Sequence, residues 1–275
     1  MHGFIFKADD YLGDEQIEDL PTLKRSRFNF AIDTKIEDSD GLKFHFDLDF
    51  RADIKLPKTR ERLGVFVNTS NLDELPGEDP DEVKNPLLIG LEFISAFRRF
   101  PYLNSYAGAR VNLSPAYFVG MVFRPHFEWE NFHIIPTQKG FWFSDETGLG
   151  GLTSLRLDWL PREKLLLRSL SAVRYTEATE GIEWEQSFLI GFTTRGNFKN
   201  LDRGHGIKFS VFGHKTGTGI IDSYRIAYIY RRPILKKWLY TQFGPEVNFY
   251  NEEDWDAFPG FRFGLDVLFW APEDI

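Results

Sequence analysis

The stretch from Leu42 to Leu56 reads LKFHFDLDFRADIKL and alternates without interruption. Every even position is apolar, and every odd position carries a charge or an imidazole. Only a β-strand repeats every two residues, so the pattern predicts a strand with one apolar face and one polar face. At roughly 3.3 Å per residue, the stretch is long enough to cross a bilayer core at the tilt of a barrel strand.

The same two-residue period recurs along most of the chain. Short polar turns separate the runs and no helical pattern intervenes, which indicates antiparallel pairing of successive neighbours in a meander. If Leu63–Thr69 and one other short run do not span the membrane, the alternative is a barrel of 12 strands. We count about 14 candidate strands, near 27–36, 42–56, 63–69, 87–93, 103–113, 116–129, 132–144, 152–160, 165–176, 182–195, 205–214, 220–231, 237–250 and 259–270.

The composition excludes several classes of function. Cysteine is absent, which removes disulfides and cysteine-based catalytic or metal sites. The net charge of −8 and the lack of a basic stripe argue against nucleic acid as a partner. The best apolar run, 87–97, contains Glu92 and is too short for a transmembrane helix. The first ten residues lack a secretory signal, so we expect the sequence of an exported protein to be its mature form.

Alternation by itself fits a soluble β domain as well as a membrane barrel. Aromatic residues, 16% of the chain, collect near strand ends, where the interfacial girdles of membrane barrels lie. About 14 strands also make a cylinder too wide to be filled by one layer of side chains. We therefore predict an all-β fold, a transmembrane up-and-down antiparallel β-barrel over residues 26–270. An acidic periplasmic extension, 1–25, precedes it, and a short tail, 271–275, follows it.

The C-terminal segments Trp238–Val247 and Pro259–Phe269 resemble the ending of proteobacterial outer-membrane β-barrels. In that class, an alternating last strand that closes on an aromatic residue is recognised by the assembly machinery. Phe269 and Trp270 take this place here, although residues 271–275 depart from a strictly terminal aromatic. The turns at 230–233 and 38–41 also look like those of a poorly characterised, porin-like group. The resemblance implies the bacterial outer membrane and its lipid as surroundings, with both termini periplasmic, and implies no particular substrate.

The charged faces of the strands are the predicted lining of the lumen. Their signs are mixed along the opening strand, which indicates a weakly selective hydrophilic channel or a lumen plugged by ion pairs. The preferred function is porin-like, passive passage of small polar solutes. The predicted pore-lining residues are Lys43, His45, Asp47, Asp49, Arg51, Asp53, Lys55, Glu92, Arg110, Arg124, His126, Glu128, Arg156, Asp158, Arg225, Glu246, Arg262 and Asp266.

No complete catalytic set is apparent among the six histidines. Tyr240-Thr241-Gln242 echoes an outer-membrane phospholipase signature, but its His-x-Ser-Asn-Gly partner is missing. His126 and Glu128 lie two apart on one face and could contribute to a metal site, yet the sequence places no second pair beside them. We therefore predict no enzyme activity, no catalytic residues, no metal and no cofactor.

Two other functional classes remain open at this stage. A structural barrel could dock another envelope protein through its N-terminal segment or through the acidic loop 71–86, which we expect to be solvated. A lipid-modifying enzyme would instead depend on His126 or His214.

Overall fold

One closed antiparallel sheet accounts for the fold in the computed structural model, which describes residues 27–38, 42–55, 63–69, 75–76, 87–94, 102–111, 115–179, 181–193, 204–216, 218–234 and 239–270. The predicted extension 1–25 and tail 271–275 lie outside these residues. The strands are β1 (Arg27–Asp38), β2 (Leu42–Lys55), β3 (Leu63–Asn68), β4 (Leu87–Ile94), β5 (Leu103–Val111), β6 (Ala116–Phe123), β7 (Phe127–Trp129), β8 (Phe132–Phe143), β9 (Leu149–Arg162), β10 (Leu165–Thr176), β11 (Gly181–Thr193), β12 (Gly204–Thr216), β13 (Thr218–Pro233), β14 (Leu239–Tyr250) and β15 (Ala257–Trp270).

Strands β6 and β7 are two pieces of one barrel strand. Both pair with β8 in a single register, from Phe118↔Phe143 to Trp129↔Phe132. In that register Pro125 stands opposite Pro136, and neither residue has an N–H to donate, so the ladder is interrupted there. Counted as one, β6 and β7 give a closed barrel of 14 strands. The predicted count is confirmed, and the alternative of 12 is wrong.

The barrel closes between its first and last strands. Strand β1 pairs antiparallel with β15 from Arg27↔Trp270 to Glu37↔Gly260. Even the six-residue β3 is paired on both sides, with β2 and with β4. Because the strands alternate in direction, β1 begins and β15 finishes at the same end of the barrel, which we call the terminal end.

The two faces of the sheet differ as the sequence predicts. Phe44 and Leu48 are exposed, whereas Lys35 and Glu37 on the neighbouring strand are buried. A sheet of one layer can bury side chains only on its concave face, so the buried ionic groups lie inside and the exposed apolar side chains outside. This arrangement, polar in the lumen and apolar outside, is that of transmembrane barrels.

Aromatic side chains ring the outer face near both ends. At the terminal end, Phe132 stacks on Trp159 with ring centroids 5.7 Å apart. Near the other end, Tyr117, Trp142 and Tyr175 are exposed on the outer face. These positions are the ones occupied by interfacial girdles in membrane barrels. In the described parts of the chain, no helix has the length and apolar character needed to cross a membrane.

Candidate functional site in the barrel lumen

Several predicted pore-lining residues lie on the inward face and are held by ion pairs. Arg110 contacts Asp145 at 2.9 Å, and Arg262 contacts Glu246 at 3.3 Å. Asp266 forms an ion pair with Arg231 at 2.8 Å, and Arg225 donates a hydrogen bond to the side chain of Asn248 at 2.8 Å. Four other predicted residues have side chains outside the described set, namely His45, Asp47, Asp49 and Lys55.

The charges of opposite sign are not evenly mixed in the lumen. A cavity of about 470 Å³ lies in the half of the barrel near the terminal end. Among the described residues that line it, five carry a positive charge and none is a carboxylate. The lining cations are Arg124, Arg156, Arg168, Lys208 and Arg231.

Carboxylates neutralise these cations from within the barrel wall. Glu185 has a side chain 0% exposed and lies 3.6 Å from Lys208, whose side chain is 25% exposed. Asp158 is 11% exposed and lies 3.5 Å from Arg156, which is 41% exposed. In both pairs the cation is the member that a solute would meet.

Arg124 differs from the other cations of the cavity. Within the described part of the chain, no ion pair or hydrogen bond involves its guanidinium. It follows β6 at the proline interruption and lies near two further cations, Arg51 and Arg156. The local field at this point is therefore positive.

A second group of charges, on β1, β14 and β15, is balanced. Lys35 lies 2.6 Å from Glu37 and 3.8 Å from Glu246, and Asn248 donates to Glu37 at 2.8 Å. These contacts join β1 to β14 across the inner face of β15, whose Arg262 also pairs with Glu246, so this wall is held together without a large net field. Here the mixed signs predicted from the sequence do produce internal pairing.

Leu75 and Pro76, two described residues between β3 and β4, lie in the lumen. Leu75 is only 5% exposed and packs against Leu152 on β9 and Ala172 on β10. Pro76 lines the large cavity and also a smaller one of about 170 Å³. Strands β9 and β10 lie far around the barrel from β3 and β4, so Leu75 contacts the opposite wall. The expectation of a solvated loop is wrong for Leu75, because its apolar side chain gains more from burial against the inner wall.

Part of the inner surface is apolar, although the sequence predicts a lumen lined by the charged faces of the strands. Phe118, Phe141 and Phe143 pack together on the inward face, and Arg110 lies over the Phe143 ring at 4.0 Å. The sequence contains a signal for this patch, since Phe141-Trp142-Phe143 is apolar on both faces of the strand. The full cluster is Phe66, Leu88, Tyr106, Phe118, Phe141 and Phe143.

The four histidines whose side chains the structure describes have three different environments. The exposed His205 ring lies between Phe192 and Tyr228, with ring centroids 5.5 and 6.2 Å away. His214 contacts Asp222 at 2.6 Å. His126 lies beside His133 and Glu128 at the β7–β8 hairpin.

Comparison with known proteins supports the fold. No protein-family model matches the chain, and no curated protein matches it. Among solved structures, OccK2 (OpdF) of Pseudomonas aeruginosa matches with a TM-score of 0.52 and 8% identity, over 90% of this chain and 98% of that one. OmpF of Salmonella typhi, in complex with daunomycin, matches with a TM-score of 0.50 and 9% identity, over 89% and 97%.

The KdgM porin also matches, at a TM-score of 0.39 and 10% identity, over 87% of this chain and 98% of that one. The OccK2 and OmpF matches, with TM-scores of 0.50 or more, show that the chain shares the barrel fold of these proteins. At these identities the likeness concerns the fold, and the chemistry of the lumen must be argued from this chain's own residues.

Proposed function

We propose that the chain is a diffusion channel of the bacterial outer membrane and that its lumen favours small anionic solutes over cations. The observation that carries this proposal is the cavity near the terminal end, with five lining cations and no carboxylate among its described lining residues. Rings of Arg and Lys select anions in pores, because a low-dielectric wall strengthens the field of charges in a narrow passage.

The geometry supports transit rather than tight capture. The lining cations already have carboxylate partners in the wall, apart from Arg124, so each offers a solute only part of its hydrogen-bonding capacity. Conduction requires binding that is favourable enough for entry and weak enough for exit. The inserted segment at Leu75 and Pro76 narrows the passage and favours small solutes.

Single-channel recording tests the proposal. Purified protein in planar bilayers should conduct, and a KCl gradient should give a reversal potential of the sign expected for chloride preference. The variants Arg124→Gln and Arg231→Gln should each reduce that potential, while Lys164→Gln, in the exposed β9–β10 turn, should leave it unchanged. Absence of conductance in the wild type would overturn the channel, and cation preference would overturn the anion selectivity.

We also propose that the barrel is oriented with both termini facing the periplasm. The support is topological, because β1 and β15 meet at one end of an even-stranded barrel, the usual arrangement in bacterial outer membranes. An epitope inserted at Ala178, in the exposed β10–β11 turn at the opposite end from the termini, should be labelled on intact cells. One added at the C-terminus should be labelled only after permeabilisation. The reverse pattern would contradict this orientation.

A further inference from the structure

We infer that His126, Glu128 and His133 form a binding site for a divalent transition-metal ion, with Zn²⁺ as the best match. Their potential ligand atoms lie within 4.8 Å of one another. Among the described residues, this is the group of three potential metal-ligating side chains that lie this close together. The inference concerns a metal site and holds whether or not the lumen conducts solutes.

The hairpin geometry brings these three side chains together. Glu128 and His133 are register partners on β7 and β8. His126 precedes Glu128 by two residues and shares its face, because β7 continues the register of β6 across the proline interruption. His126 is therefore the diagonal neighbour of His133, a relationship within reach of long side chains.

The distances between the three ligand atoms agree with tetrahedral coordination of one ion. His126 Nε2 lies 3.3 Å from His133 Nδ1, and each of these nitrogens lies 3.5 Å from Glu128 Oε1. Zn²⁺ binds imidazole nitrogen and carboxylate oxygen at about 2.0–2.2 Å, so tetrahedral ligands should be about 3.3–3.6 Å apart. An octahedral ion such as Mg²⁺, at about 2.1 Å, would require ligand atoms about 3.0 Å apart and prefers oxygen.

The chemistry of the three donor side chains also favours Zn²⁺. Two imidazoles and one carboxylate are the three-ligand set of open zinc sites, in which a fourth position holds water or a substrate atom. The side chains are partly exposed, with relative areas of 39% for His126, 47% for Glu128 and 23% for His133, so an ion can reach them. The carboxylate offsets one of the two charges of the ion, and the open position could receive a solute carboxylate.

Metal titration of the full chain in detergent tests the site. Untagged protein is stripped with a chelator, and Zn²⁺ binding is followed by calorimetry with elemental analysis of the bound ion. We expect one Zn²⁺ per chain. Co²⁺ should give the intense visible absorption of a tetrahedral site. His126→Ala, Glu128→Gln and His133→Ala should each weaken Zn²⁺ binding at least about tenfold, and His126→Ala/His133→Ala should abolish it.

Two matched controls separate this site from other histidines. His214→Ala removes a histidine that contacts a carboxylate elsewhere in the barrel, and His2→Ala removes the histidine beside the N-terminus. Both should keep one tight site. Heat-dependent mobility in gels verifies that every variant is folded. Failure of the wild type to bind Zn²⁺, or tight binding of Zn²⁺ by His126→Ala/His133→Ala, would overturn the assignment.

Discussion

Arg168 and Asp158 are register partners on β10 and β9, and Arg168 donates two hydrogen bonds to the carboxylate, from Nε at 2.7 Å and from Nη2 at 2.9 Å. Such paired bonds fix the guanidinium plane as well as its position. The sheet thereby holds Arg168 at the edge of the cationic cavity. Asp158 also lies 3.5 Å from Arg156, so one carboxylate balances two cations.

Removal of the charge of Asp158 should increase anion preference. In Asp158→Asn, Arg156 and Arg168 lose their shared counter-charge, and the net field in the cavity becomes more positive. The reversal potential in a KCl gradient should move further in the chloride-selective direction. Arg168→Gln should move it the other way, and Glu163→Gln, in the exposed turn between these strands, should have no effect. Equal potentials in all variants would show that this pair does not face the conducting path.

Truncation of Leu75 should widen the channel. Leu75→Ala removes most of the buried contact with β9 and β10, a loss of about 2–5 kcal/mol for a core leucine. The β3–β4 connection should then leave the inner wall part of the time. Single-channel conductance should rise and become noisier in planar bilayers. Leu155→Ala, on the outer face of β9, is the control and should leave conductance unchanged.

Gly244 is expected to be essential for pairing of β13 with β14. A Cβ at this position would overlap the carbonyl oxygen of Tyr228, whereas a Cβ at Gly140 meets nothing within 4 Å. Gly244→Ala should therefore reduce the yield of folded barrel, measured by the heat-dependent shift in gel mobility, and Gly140→Ala should not. A normal yield of the Gly244 variant would mean that the two strands can separate locally without cost.

The assignment of the apolar face to lipid predicts a penalty for charge there. Phe263 is exposed on β15 and has Thr34 and Phe243 as its lateral neighbours. Phe263 lies at the middle of β15 (Ala257–Trp270), so Phe263→Arg should lower the free energy of unfolding in lipid vesicles by about 2–4 kcal/mol, the penalty for arginine near the bilayer midplane. Phe263→Leu should cost far less. Urea titration of refolded protein measures both, and a negligible effect of arginine would contradict lipid contact.

The sequence was sufficient to predict the strands, their number and which face of each strand is polar or apolar. Alternation is a local property, so Leu42 to Leu56 already distinguishes the face of Phe44 from that of Lys43. Once a meander closes into a barrel, its last strand pairs with its first, as β15 does with β1. The terminal aromatic segment added the class of membrane barrel.

What the sequence did not reveal depends on contacts between strands. The sequence contains Lys208, Arg168 and Arg231, but it does not say that they surround one cavity while their carboxylates stay in the wall. His133 joins His126 only because the register places Pro125 opposite Pro136. The inward course of Leu75 is tertiary as well, since its partners lie on strands that come much later in the chain.

The buried position of Leu75 in the lumen also allows the order of folding steps to be measured. Leu152 and Ala172 are synthesised long after Leu75, so their contact can form only after β9 and β10 are in place. The chain has no native cysteine, and a cross-link between Leu75→Cys and Leu152→Cys would therefore be unambiguous. The rate at which this cross-link forms, compared with that of a cross-link between β1 and β15, would show whether Leu75 packs on the inner wall before or after the barrel closes.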